Sequence, residues 1–143
     1  MPKVITPDEF NKLMKKSFRY LENEFSFSVR KVNDWTYVAE TPDTRIYIYI
    51  EHYAILVVEI EPIGEQANQL LRQNILPSRA DIVPMSKYYN PKLNYKPEML
   101  DKKNYIHNIP IEIEKRATLL KTYFTKMLRG DFSDWPKMEK YLP

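Results

Sequence analysis

The sequence predicts an α+β domain: a four-stranded antiparallel meander sheet covered on one face by an N-terminal helix and a long C-terminal helix. Three observations predict it. Residues 45–51 alternate strictly, with Ile46, Ile48 and Ile50 on one face, and residues 55–61 alternate with Leu56, Val58 and Ile60 on theirs. The loops between these runs are only a few residues long, which forces hairpins and excludes a parallel sheet. Amphipathic helical periodicity appears near both ends, and two such helices need a sheet face to cover.

The first helix is announced by Thr6-Pro7-Asp8-Glu9, which has a threonine N-cap, proline at N1 and glutamate at N3. Ile5 and Phe10 suit a hydrophobic staple across that cap. Phe10, Leu13, Met14, Phe18 and Leu21 then follow at helical spacing, so the helix is expected from Pro7 to Asn23. Lys12, Lys15, Lys16 and Arg19 take the opposite face as a solvated basic stripe.

The strands fix one another's register. Aligning the apolar faces pairs Ile50 with Leu56, Ile48 with Val58 and Ile46 with Ile60, leaving a three-residue loop, His52-Tyr53-Ala54. Arg45 then lies opposite Glu61, and Tyr47 opposite Glu59. A two-residue turn at Pro42-Asp43 pairs Glu40 with Arg45, Ala39 with Ile46, Tyr37 with Ile48 and Trp35 with Ile50. A first strand over residues 25–31 fits when Phe27 and Val29 also face the core. Both hairpins independently set Arg45 between Glu40 and Glu61.

Past Pro62, Ala67, Leu70 and Leu71 give a short helix over residues 65–74, which must stop before Pro77. Residues 77–108 show no periodicity and carry prolines at 77, 84, 91 and 97; they are expected to be irregular, with one helical turn near residues 97–103. A long helix starts at Pro110 and runs to Arg129, with Ile113, Ala117, Leu120, Phe124 and Met127 on one face and Gly130 as the C′ stop. Ser133 or Asp134 caps a last short helix in which Trp135, Met138, Tyr141 and Leu142 pack.

At 143 residues the chain is expected to be a single domain, 1–143, with a core large enough to need no metal or disulfide. Its 43% hydrophobic and 29% charged composition is that of a globular protein, and no apolar run suggests a membrane span or a signal peptide. The expected setting is cytoplasmic. Zero cysteines exclude thiol chemistry and zinc knuckles; two glycines exclude a glycine-rich phosphate loop; two histidines leave no HExxH motif. No catalytic, cofactor-binding or metal-ligating set emerges, so no cofactor is expected. His52 falls in a hairpin loop and His107 in the run into the long helix, neither beside a serine–carboxylate arrangement.

Charge is unevenly spread under a net charge of +3. Residues 35–62 hold five acids against Arg45, whereas residues 77–107 hold six bases against three acids, with four tyrosines and four prolines. On the outer sheet face the derived register gathers Val38, Tyr47, Tyr49, Ile55 and Val57, rimmed by Glu40, Arg45, Glu51, Glu59 and Glu61. Such a face is rarely left to water. Either the tyrosine- and proline-rich segment folds back over it, or it meets a partner. The candidate partner-binding residues are Val38, Tyr47, Tyr49, Glu51, Val57, Glu59 and Glu61. The carboxylates also raise acid–base or divalent-ion chemistry, but Arg45 is placed to pair them.

The stretch Glu114-Lys115-Arg116-Ala117 through Leu119-Leu120 to Leu128-Arg129-Gly130-Asp131-Phe132-Ser133-Asp134-Trp135-Pro136 resembles the ending of small bacterial α+β proteins, some grouped with immunity proteins of polymorphic toxin systems. In those, an E-x-x-A-x-L-L helix closes on an L-x-G-D-F-S-x-W-P turn. The resemblance implies a helix–meander–helix fold and a protein partner, a toxin in the immunity case. The chain departs from it in being basic. The function expected is a non-catalytic protein-binding domain. A single-stranded nucleic-acid-binding module using the basic, tyrosine-rich residues 87–105 is the alternative, and a hydrolase without a legible signature is the third.

Overall fold

The capping box closes as the sequence dictates. Thr6 Oγ1 accepts from the Glu9 amide at 3.2 Å, and Glu9 Oε1 accepts from the Thr6 amide at 3.2 Å. In the computed structural model, which describes residues 5–52 and 54–143, this cap starts α1 (Pro7–Ser17). The expected single helix is two: the chain breaks at Phe18 and resumes as α2 (Arg19–Asn23). The Leu21 amide bonds to Phe18 O at 3.1 Å, a tight i,i+3 step that keeps both Phe18 and Leu21 buried.

The sheet order is β1 (Ser28–Asn33), β2 (Thr36–Glu40), β3 (Thr44–Glu51), β4 (Ile55–Pro62) and β5 (Ala80–Asp81), all antiparallel neighbours. Every expected pairing of β3 with β4 is present, from Arg45 opposite Glu61 to Ile50 opposite Leu56. The β2–β3 register also holds, with Glu40 opposite Arg45 and Tyr37 opposite Ile48. The Ile50 amide bonds to Trp35 O at 3.0 Å, just beyond that ladder. Residues 52–54 connect β3 to β4; Tyr53 lies outside the described residues.

The sheet has five strands rather than four. The fifth, β5, is only two residues long, too short for any alternation to reveal. The first strand begins at Ser28, later than expected, because Ser26 takes a positive φ of 60° and interrupts the extended run. Phe25 and Phe27 are nonetheless buried on the approach to it.

Residues 77–108 are more ordered than their composition suggested. Asp81 caps α4 (Ile82–Tyr89), its Oδ1 accepting from the Val83 amide at 2.9 Å. Pro84 sits in the first turn of α4, where an amide has no helical acceptor to lose, so the helix tolerates it. Around residues 97–103 there is no helical turn but a hairpin of β6 (Met99–Asp101) and β7 (Ile106–His107). The other helices are α3 (Gly64–Arg72), α5 (Ile109–Tyr123), α6 (Thr125–Leu128) and a 3-10 helix (Trp135–Tyr141). The long C-terminal helix thus also breaks at a buried phenylalanine, Phe124.

The core lies on the isoleucine face. Ile46, Ile48, Leu56, Val58 and Ile60 are buried together with Phe10, Phe18, Leu120 and Phe124. α1 and α5 pack on one another, and Tyr20 Oη donates to Ala117 O at 2.6 Å. Thr44 Oγ1 donates to Met127 O at 2.7 Å, tying the start of β3 to the end of α6. Gly130 takes φ 84°, ends α6, and lies against the Asp43 side chain. Trp135 is fully buried, edge-on to Phe132 at 5.7 Å. Among the described residues no helix is long and apolar enough to cross a membrane.

Candidate functional site

The outer sheet face is built by the residues that alternate away from the core: Arg30 from β1, Val38 and Glu40 from β2, Arg45, Tyr47 and Tyr49 from β3, and Val57, Glu59 and Glu61 from β4. Cross-strand pairing brings Val38 beside Tyr47, Tyr47 beside Glu59, and Tyr49 beside Val57. The candidate residues therefore do share one surface. Glu51 lies at its far end, opposite Ile55 and exposed.

That surface is not a bare apolar patch. Tyr47 Oη donates to Glu61 Oε1 at 2.9 Å, and Tyr49 Oη donates to Glu59 Oε1 at 2.9 Å. Arg45 bridges Glu40 at 3.0 Å and Glu61 at 3.3 Å, realising the pairing the hairpins imply. Arg30 extends the chain of charges to the other Glu40 oxygen at 3.2 Å. Val38 and Val57 are buried beneath this layer, 4% and 9% exposed, although neither belongs to the main core.

Arg79 completes the layer from the other side. Its guanidinium lies 3.7 Å from the centre of the Tyr47 ring and reaches Glu59 Oε1 through Nε at 3.0 Å and Nη2 at 2.7 Å. Glu59 therefore accepts from Tyr49 and Arg79 on one oxygen. Burial and the neighbouring Glu59 carboxylate push the Tyr49 hydroxyl up to about 12, and burial raises Tyr47 as well. Both tyrosines keep their protons and serve as donors. Glu40, Glu59 and Glu61 are each paired with an arginine, and Glu59 and Glu61 also accept from a tyrosine.

Arg79 escaped the sequence reading because it belongs to no periodic run; β5, which positions it, is two residues long. Arg30 was legible in principle. Extending the β2 register one strand further sets Arg30 beside Val38 and within reach of Glu40.

The tyrosine-rich segment packs mainly on the core side. Tyr88, Tyr89 and Tyr95 lie against the hydrophobic core, and of the four tyrosines in residues 87–105 only Tyr105 is exposed. Tyr89 Oη donates to Asp134 at 2.9 Å, and Tyr95 Oη donates to Glu112 Oε1 at 2.9 Å. From residues 77–107, the Arg79 guanidinium lies over the Tyr47 ring and 5.6 Å from the centre of the Tyr49 ring.

A second polar cluster is internal. Glu112 is fully buried in α5 and accepts from Tyr95 Oη, from Arg116 Nε at 3.1 Å and, on its other oxygen, from the Glu98 amide at 2.9 Å. His107 is buried nearby; its Nδ1 accepts from the Leu56 amide at 3.2 Å, so the neutral ring carries its proton on Nε2. Burial, with Arg116 adding to it, holds His107 below the usual histidine range. Nε2 has no protein acceptor among the described residues. His52 is exposed, with Glu51 at 3.8 Å. No protein family matches this chain, and no curated protein or solved structure matches it.

Proposed function

We propose that the chain is a non-catalytic protein-binding domain that engages a partner through the outer face of its sheet. The observation that carries this reading is the half-exposed tyrosine–arginine layer of Tyr47, Tyr49, Arg45 and Arg79, immobilised by its own hydrogen bonds to Glu40, Glu59 and Glu61. Tyrosine and arginine are the side chains enriched at interface centres. Holding them in place before binding lowers the entropy lost on association. Glu51, at the exposed rim, steers a partner that is locally basic. An immunity-like role, with a toxin as the partner, is supported only by the resemblance of residues 114–136. A cytoplasmic setting suits a chain without cysteines.

The test is affinity capture from a lysate of the source organism with wild type, Tyr47→Ala/Tyr49→Ala, and a variant neutralising Lys87, Lys92, Lys96 and Lys102. The expected result is a protein retained by wild type and the lysine variant but lost by the tyrosine variant. A partner lost only on lysine neutralisation overturns the assignment to this face. Recovery of RNA or DNA with a steep salt dependence favours the nucleic-acid alternative.

A further inference from the structure

We infer that β1 is a docking edge for an extended acidic segment of a partner protein, which adds beside Ser28–Asn33 as a sixth strand. This goes beyond the outer-face reading, because it uses the sheet's edge and the helix side of it. Three observations meet there. First, β1 is the end of the sheet, and every residue in it but Val29 is exposed. Among the described residues its backbone bonds lead only to β2. Unpaired strand edges are templates for strand addition, the mode by which many domains take extended peptides. The opposite edge is different, since β5 has two residues and runs straight into α4.

Second, a groove of about 600 Å³ runs between β1 and the α1–α2 pair. Val29 lies opposite Ala39, and Lys31 opposite Tyr37, both core-facing positions, so Val29 and Lys31 project to the groove side. A strand added at β1 places alternate side chains in this groove, level with Val29 and then with Lys31.

Third, the groove's charge specifies what those side chains are. Lys15, Arg19 and Lys31 line it against a single acid, Glu22. Lys31 reaches Asp34 at 3.3 Å, whereas Lys15 and Arg19 meet no carboxylate among the described residues. The fitting segment carries an apolar residue beside Val29 and, two positions on, an acid facing these bases. A second copy of the chain does not fit. Antiparallel self-pairing of Ser-Val-Arg-Lys-Val-Asn sets like charges across the ladder. An inward lysine on an edge strand blocks such pairing, and an acidic strand turns the same charge into attraction.

The probe is a display library of random ten-residue peptides panned on the whole chain, with hydrogen exchange of the β1 amides as the second readout. The expected binders carry an apolar residue two positions from an acid and slow exchange at Ser28–Asn33. Lys15→Glu/Arg19→Glu, at two exposed helix positions, weakens them at least tenfold while leaving the melting temperature unchanged. Tyr47→Ala/Tyr49→Ala binds them as wild type does, which separates this proposal from the outer-face reading. A library that yields no binder, binders that are basic or uncharged, protection that maps elsewhere than β1, or dimerisation of the free chain through β1 overturns it.

Discussion

Replacing Glu112 by methionine removes the acceptor at the centre of the buried cluster on α5. Arg116, 4% exposed, then keeps its charge without its carboxylate, while Tyr95 Oη and the Glu98 amide lose their acceptor. Breaking a buried ion pair from one side costs about 3–5 kcal/mol, mostly for the stranded charge. At an unfolding entropy of about 2.1 cal/mol/K per residue, a 143-residue chain loses about 13 °C in melting temperature for about 4 kcal/mol. The double variant Glu112→Met/Arg116→Met removes the charge along with its partner and fills similar volume. It is expected to recover at least about 1.5 kcal/mol relative to Glu112→Met alone, because buried pairs barely exceed their desolvation cost. Urea titration monitored by circular dichroism measures all three proteins. A single variant costing under about 1 kcal/mol, or a double variant less stable than the single, refutes the view of this cluster as a desolvated, mutually dependent pair.

Ile48→Ala, at the centre of β3 and 1% exposed, costs about 2–5 kcal/mol in the same titration, whereas an outward substitution such as Glu51→Ala stays within about 0.5 kcal/mol. His107 is held below the usual histidine range in the folded state, so protonation favours unfolding; stability is full above about pH 6.5 and falls as the pH drops from there towards the lowered folded-state value. Melting temperatures between pH 7.5 and 5.5 are expected to decline in wild type and to decline less in His107→Asn. Gly130→Ala is destabilising for two reasons, a φ of 84° and a new Cβ at 2.8 Å from Asp43 Oδ2; a melting temperature equal to wild type contradicts the assigned turn.

The sheet's centre was legible because Ile46, Ile48 and Ile50 leave one register that buries them all, and a one-residue slip would expose the set. The face carrying Tyr47, Tyr49 and the glutamates followed from that register alone. The two helix breaks were not legible: Phe18 and Phe124 fit the helical stripe as well as any residue, and only tertiary packing shows the chain tightening at them. Pro84 masked α4, since a proline in the first turn reads the same as one in a loop. The outer face differs from its sequence picture through Arg79, a lone base in an aperiodic segment, which lays its guanidinium on Tyr47 and turns an apolar patch into a charged, hydrogen-bonded layer.

Site-specific photo-crosslinking tests whether the outer sheet face meets a protein. A photoreactive residue at position 51, exposed at the rim of that face, is compared with one at position 111, exposed on α5. A discrete protein adduct is expected at position 51, absent at position 111 and absent from position 51 in the Tyr47→Ala/Tyr49→Ala background. An adduct formed at position 111 but not at 51, or one that survives loss of both tyrosines, contradicts binding through this face.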